Sequence, residues 1–219
     1  MLEKVKKAVD YYHEELKKSN IAKDYLKSRG LTKESIVKFK LGYAPPNPEI
    51  GGRFHDRIIF PIWDPHGVPV GWTARTLIGA SAKYLNVKES GIFQKSRLLY
   101  LYHLTKKAIV KTRAAVLVEG QMDAIILYQH NILNVVASSS TAFKPAAACL
   151  LARYVSKVYV VYDPDDAGVR ARTKVEKVLN DIDPELKVII VKLPGGEDPA
   201  SFVLKYGREK FLDLLRNSQ

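Results

Sequence analysis

The chain is poor in the residues that staple or ligate soft metals. One cysteine, two methionines and two tryptophans occur in 219 residues. A single cysteine excludes an internal disulfide and any multi-cysteine zinc site, so no zinc is expected in this chain. Cys149 is expected to be a small buried side chain on a helix near 146–151. No apolar run approaches the ~18 residues of a membrane-spanning helix, and the mean hydropathy is −0.14. The opening Met1-Leu2-Glu3-Lys4-Val5-Lys6-Lys7 is followed by no apolar segment, so no secretory leader is predicted. A cytoplasmic protein without a membrane partner is expected. His13, His55, His66 and His103 stand isolated and receive no catalytic role. There is no internal repeat and no low-complexity segment.

Acid is also scarce, but only in one half. Residues 1–113 hold 22 Lys and Arg against 10 Asp and Glu, whereas residues 114–219 hold 13 of each. The whole excess of +12 therefore lies in the first half. Such a half suits a polyanion held through its phosphates; the competing explanation is a lysine-rich solvated surface of the kind heat-stable proteins carry. A hydrophobic content of 47% is enough for a real core, in one large or two small domains.

What the second half does have is two acidic clusters at the ends of apolar runs. The first is Val116-Leu117-Val118-Glu119-Gly120-Gln121-Met122-Asp123, and the second is Val158-Tyr159-Val160-Val161-Tyr162-Asp163-Pro164-Asp165-Asp166-Ala167-Gly168. Each run reads as a buried parallel strand that opens into a helix. Ligand sites in open α/β sheets collect at the carboxyl ends of strands, so Glu119, Asp123, Asp163 and Asp165 are expected at one sheet edge. Crowded carboxylates protonate or take up a cation. An all-oxygen set suits Mg²⁺ or Mn²⁺, with open positions for phosphate. Taken singly, each cluster has a plainer explanation. Asp123 is an acid favoured by a helix dipole, and Asp163-Pro164-Asp165 is a turn followed by a cap.

The periodicity predicts a helix over 3–19, a second over 21–29 capped by Asn20, and a third over 33–40 capped by Thr32. A Pro/Gly loop follows at 47–52. A strand over 53–63 turns at Asp64-Pro65-His66-Gly67 into its hairpin partner over 68–75. Basic residues then interrupt apolar-aromatic strands at Lys83-Tyr84-Leu85-Asn86 and at 92–100. From a helix over 102–111 the pattern alternates. Strands over 114–119, 133–137, 156–162 and 187–192 alternate with helices over 121–130, 144–153 and 166–180, and two terminal helices lie near 199–205 and 207–217. The fold class is α/β: a basic α+β subdomain over 1–113, then a mainly parallel sheet flanked by helices over 114–219.

Glu-Gly-x-Met-Asp after one strand and Asp-x-Asp-x-x-Gly after another resemble the Toprim domain of primases, topoisomerases and some nucleases. Their order, their spacing of about forty residues and their strand–loop–helix contexts carry the likeness. Tyr11-Tyr12-His13-Glu14, Tyr25-Leu26-x-x-Arg29-Gly30-Leu31 and Leu41-Gly42-Tyr43-Ala44-Pro45-Pro46 are similar to the opening of the DnaG-type primase catalytic core. So are Lys83-Tyr84-Leu85-Asn86 and Phe93-x-Lys95-x-Arg97-x-Leu99-Tyr100. The resemblance covers nearly all of residues 11–216. The loop at 47–52 is shorter than that family's. The small-residue loop is Ser138-Ser139-Ser140-Thr141. Leu193-Pro194-Gly195-Gly196-Glu197-Asp198-Pro199-Ala200 has Ala200 where the family places a second aspartate.

The resemblance implies a DNA-directed RNA polymerase making short RNA primers on single-stranded DNA. Glu119, Asp163 and Asp165 would be catalytic, and Glu119, Asp123, Asp163, Asp165 and Asp198 would hold two or more Mg²⁺ or Mn²⁺ ions. Arg57, Arg75, Lys83, Asn86, Lys95 and Arg97 would contact template or nucleotide. Asp166 either joins the metal shell or merely sits at a helix N-terminus. The implied partners are single-stranded DNA, an RNA–DNA hybrid, ribonucleoside triphosphates, and a replicative helicase or a separate zinc-domain protein. The zinc and helicase-binding domains of such a primase have no counterpart here, so a fragment or a minimal stand-alone protein is expected. Two alternatives remain: a Toprim-type metal-dependent nuclease, and a non-catalytic nucleic-acid-binding replication accessory.

Overall fold

The computed structural model describes residues 1–47, 52–77, 82–139 and 143–218. Most of the expected loop at 47–52, and Ser140 and Thr141, lie outside them. The chain divides between Gln94 and Lys95 into two compact units. Residues 95–113, grouped by charge with the basic half, thus pack within the second unit.

In the first unit, α1 (Leu2–Lys18) presents Val9, Tyr12, His13 and Leu16 as its buried stripe. It is followed by α2 (Asn20–Ser28) and α3 (Lys33–Lys38). The cap of α2 is Ser19 rather than Asn20: its hydroxyl accepts from the Ala22 amide at 3.2 Å, which moves the helix start one residue earlier. Thr32 caps α3 as expected. Four antiparallel strands follow in the order β1 (Gly42–Ala44), β2 (Arg57–Trp63), β3 (Pro69–Thr76) and β4 (Tyr84–Asn86). β2 starts later than the expected strand because Gly52–Phe54 form a short 3-10 turn. Val9 and Tyr12 of α1 pack with Phe54, Ile59, Trp72 and Ala74 over this sheet.

The short edge strand β4 is held by side chains. The buried Arg57 guanidinium donates to the Ala82 carbonyl at 2.9 Å. The Thr73 hydroxyl donates to Asn86 Oδ1 at 2.8 Å, and Arg53 donates to the Asn86 carbonyl at 3.2 Å.

The second unit starts with a 3-10 turn over Lys95–Arg97 and α4 (Tyr102–Thr112). The turn replaces the expected strand at 92–100: Lys95 and Arg97 sit on a tight bend, half-buried and exposed respectively, rather than on a pleated edge. The expected alternation then runs through β5 (Ala114–Val118), α5 (Gln121–Gln129), β6 (Val135–Ala137), α6 (Pro145–Ala152), β7 (Lys157–Val161), α7 (Asp166–Ile182), β8 (Lys187–Ile190) and α8 (Pro199–Asn217). The sheet is parallel throughout, in the order β6-β5-β7-β8. Ala115, Leu117, Val158 and Val160 are fully buried between helices, as continuous apolar strands require. Gly207 breaks α8 into the two expected pieces at φ 82°, a conformation open to glycine. Cys149 is exposed, not buried: α6 turns Ala147, Ala148 and Leu151 to the core, which leaves position 149 on the opposite face.

Truncating Arg57 leaves the Ala82 carbonyl without its buried donor and frees the start of β4. Arg57→Ala is expected to lower stability by roughly 1–3 kcal/mol. In native-state hydrogen exchange it should accelerate Tyr84–Asn86 selectively; uniform exchange across the unit would contradict the fastening role.

Candidate active site

The two central strands of the second unit end on acids. β5 finishes at Val118 and turns through Glu119 and Gly120 into α5, while β7 finishes at Val161 and turns through Tyr162–Asp165 into α7. Val118 and Val161 are partners in one parallel ladder, so both acidic turns leave the same edge. A third acidic segment, Glu197-Asp198, leads into α8.

Backbone amides fix three of the carboxylates. Asp165 caps α7 and accepts from the Gly168 amide at 2.7 Å. Asp198 caps α8 and accepts from the Ser201 amide at 2.6 Å. Asp123, only 8% exposed, accepts from the Ala200 amide at 3.2 Å, which ties the first acidic motif to the third. The two motif glycines are demanded by close approach. A Cβ on Gly120 would lie 2.6 Å from Asp123 Oδ2, and one on Gly168 would lie 2.1 Å from the Asp163 carbonyl oxygen.

These acids feel one another. Burial, then the charges of Asp163 and Asp165, raise the Glu119 carboxyl above the ordinary range. Burial, then Asp163 and Asp198, push Asp123 up to about 7, although the Ala200 amide pulls the other way. The structure thus brings Glu119, Asp123, Asp163, Asp165 and Asp198 into one electrostatic cluster. Asp166 lies exposed in the first turn of α7. Among the described residues, no three His, Cys, Asp or Glu side chains already form a closed ligand group. The donor set nevertheless fits a hard divalent cation: every donor is a carboxylate oxygen, and their mutual repulsion is what such an ion relieves. Binding then requires the side chains to close in.

Sequence reasoning missed the neighbours of this cluster. The buried Tyr162 hydroxyl donates to Ser138 Oγ at 2.7 Å, and burial raises its pKa, keeping it a donor. The Ser138 and Ser139 amides donate to the Val118 and Glu119 carbonyls, each at 3.0 Å. A tyrosine directly before Asp163 was the available signal. Arg172 and Lys192 line a cavity of about 240 Å³ beside Pro164, together with Tyr162 and Glu197; nothing in their spacing announced it.

Of the basic residues singled out, Lys95 and Arg97 belong to the same unit as the acids. Arg57, Arg75, Lys83 and Asn86 belong to the first. Arg57 and the Asn86 side chain are engaged in holding β4. Lys83 is exposed. Arg75 is partly exposed beside Tyr25 and Tyr84.

The raised Asp123 has a thermodynamic consequence. Between about pH 4 and about pH 7 the unfolded chain releases this proton while the folded chain keeps it, so stability falls as pH rises through that window and then levels off. In chelator, thermal melts should show a loss of up to about 4 kcal/mol across it. Asp123→Asn is expected to flatten most of the slope and to raise the melting temperature at pH 8; a slope unchanged in the variant would refute the assignment.

Residues 116–203 match the Toprim-like family model, and residues 11–51 and 47–106 match that of the DNA primase catalytic core, N-terminal domain. The chain is 35% identical to a DNA primase of Clostridium acetobutylicum, over 96% of this chain and 40% of that protein. It superposes on the zinc-binding and RNA polymerase domains of the Aquifex aeolicus primase with a TM-score of 0.89 at 32% identity, covering 100% of this chain and 60% of that one. A DnaG primase catalytic domain bound to single-stranded DNA gives 0.86 at 30% identity, covering 100% and 81%. The chain spans about two-fifths of the length of the curated relatives it matches. Toprim-type primases are in general metal-dependent. The two family matches fall in order along the chain and the likeness extends over its whole length, so the chain belongs to the DnaG-type primase catalytic-core family.

Proposed function

We propose that this chain is a polymerising core that synthesises short RNA primers on single-stranded DNA from ribonucleoside triphosphates. The observation that carries this reading is the cluster of five carboxylates at the ends of β5 and β7 and at the start of α8, in a chain whose first half matches a primase domain. Glu119, Asp123, Asp163, Asp165 and Asp198 would hold two or more Mg²⁺ or Mn²⁺ ions. Bound there, such ions neutralise and orient the triphosphate for in-line displacement.

The chain's own residues divide the remaining work. Glu119, half-buried at the end of β5, accepts the proton of the attacking 3′-hydroxyl as its oxygen bonds to the α-phosphorus and pyrophosphate leaves. Asp163 and Asp165 complete the catalytic set. Asp123 and the Ala200 amide keep the first and third motifs in register. Arg75, Lys83, Lys95 and Arg97 contact phosphates of template, nucleotide or RNA–DNA hybrid, which fixes position without reading sequence. Arg57 and Asn86 support that contact through β4 rather than by touching the ligand. A replicative helicase and a separate zinc-domain protein are the further partners this reading implies.

Labelled ribonucleotide incorporation on single-stranded DNA, with Mg²⁺ or Mn²⁺ and with or without a supplied primer, tests the proposal. Wild-type product is expected to fall at least about 100-fold in Glu119→Gln and in Asp163→Asn, a loss in the range general-base and charge-stabilising groups contribute. Strand shortening that depends on the same carboxylates, without incorporation, would instead establish a nuclease.

A further inference from the structure

Arg75 lies on β3, directly across from Tyr84 on the edge strand β4. Its guanidinium carbon lies over two rings, 5.6 Å from the Tyr25 centroid and 5.6 Å from the Tyr84 centroid. Nη1 donates to the Tyr84 hydroxyl at 3.2 Å. Arg75 makes no ion pair with any described carboxylate. Both rings have rigid supports. Tyr25 sits on α2, which is anchored by the fully buried Ala22 and Leu26. Tyr84 sits on the strand fastened by Arg57, Thr73 and Arg53.

An arginine on a sheet surface ordinarily samples many rotamers, and that freedom is lost on binding an anion. Aromatic faces attract a guanidinium through the ring quadrupole. Two such faces, together with the hydrogen bond that Nη1 donates to the Tyr84 hydroxyl, select one orientation before any ligand arrives. The bond to Tyr84 uses a donor on Nη1, and the remaining N–H donors of the guanidinium are left for a ligand. That fork matches the oxygens of a phosphate. A lysine in this place would keep the charge and lose the preset plane.

We infer that Tyr25 is a positioning residue for Arg75: with Tyr84 it clamps the guanidinium so that its edge is offered to a phosphate of bound single-stranded DNA. The inference rests on the polynucleotide reading proposed above. Tyr25 itself carries no charge and belongs to a helix that the basic motifs do not include. Its expected effect on binding passes through Arg75, which the double variant tests.

Fluorescence anisotropy with a labelled oligo-dT strand, titrated at several salt concentrations, decides the matter. The proteins compared are wild type, Arg75→Ala, Tyr25→Leu, Tyr25→Phe and the Tyr25→Leu/Arg75→Ala double variant, each checked by thermal melting. Arg75→Ala is expected to weaken binding roughly tenfold and to lower the salt slope by about one. Tyr25→Leu should weaken binding by about three- to tenfold with the salt slope retained, because the charge is still present. Tyr25→Phe should bind like wild type, and Tyr25→Leu should add nothing to Arg75→Ala. Tyr25→Met replaces the leucine variant if that one does not fold. Wild-type affinity in the non-aromatic variants, a further loss in the double variant, or a phenylalanine variant as weak as leucine overturns the clamp. Unchanged binding in Arg75→Ala also overturns it and removes Arg75 from the proposed phosphate contacts, while the polymerising reading stands. Wild type without salt-dependent DNA binding sinks the polynucleotide reading itself.

Discussion

Repulsion among carboxylates is the constraint on which the second unit depends. Five acids lie at one edge of a four-stranded sheet, and one of them, Asp123, is almost wholly removed from water. Several kcal/mol oppose burying a lone charge of this kind. The fold meets the cost with main-chain donors. Gly168, Ser201 and Ala200 each direct an amide at a carboxylate oxygen, and all three amides lie in the first turns of two helices, α7 and α8, whose positive ends favour an anion. What amides leave uncompensated appears as the raised proton affinity of Glu119 and Asp123. The acidic edge is therefore held together and kept under electrostatic tension at once, a state that a divalent cation relieves.

The first unit solves a different problem. Its sheet ends in a three-residue strand with too few ladder bonds to be stable alone. Arg57, Thr73 and Arg53 supply the missing attachments from neighbouring segments. A basic residue with two hydrogen-bonding edges thus serves structure at one position and solvent or ligand at another. Arg57 is buried and committed to a carbonyl, whereas Arg75, which pairs with the next residue of β2 on the same sheet, lies partly exposed beside two aromatic rings. Counting positive charges cannot separate the two.

The parallel half was legible because its signals are strong and local. Four apolar runs alternate with helical periodicity, and the acids that end two of the runs mark strand termini. Gly207 marked the division of the last helix. The failures have equally local causes. Ser19 and Asn20 are both good caps, and only the chain path decides between them. Phe93-x-Lys95-x-Arg97 alternates like a strand, yet Phe93 closes a tight bridge with Ser90 and Lys95–Arg97 then fold as a 3-10 turn. Cys149 was placed by residue type, although helical phase sets its face. The Tyr162–Ser138 bond joins residues 24 apart across two strands, and no spacing rule announces it.

Ala200 shows how a motif can lose a side chain and keep part of its work. Where the resemblance to the primase motif leads one to expect an acid, this chain has a methyl group that is 5% exposed, and the amide of the same residue donates to Asp123. That amide exists whatever side chain the position carries, because position 200 stays in the first turn of α8 where main-chain N–H groups lack partners within the helix. The link between the first and third acidic motifs is consequently insensitive to the exchange. What the exchange removes is one negative charge from an edge already crowded with them. It lessens the repulsion acting on Asp123 and Asp198 and takes away one oxygen donor, so a site with less internal repulsion would offer fewer protein ligands to the cations proposed for it.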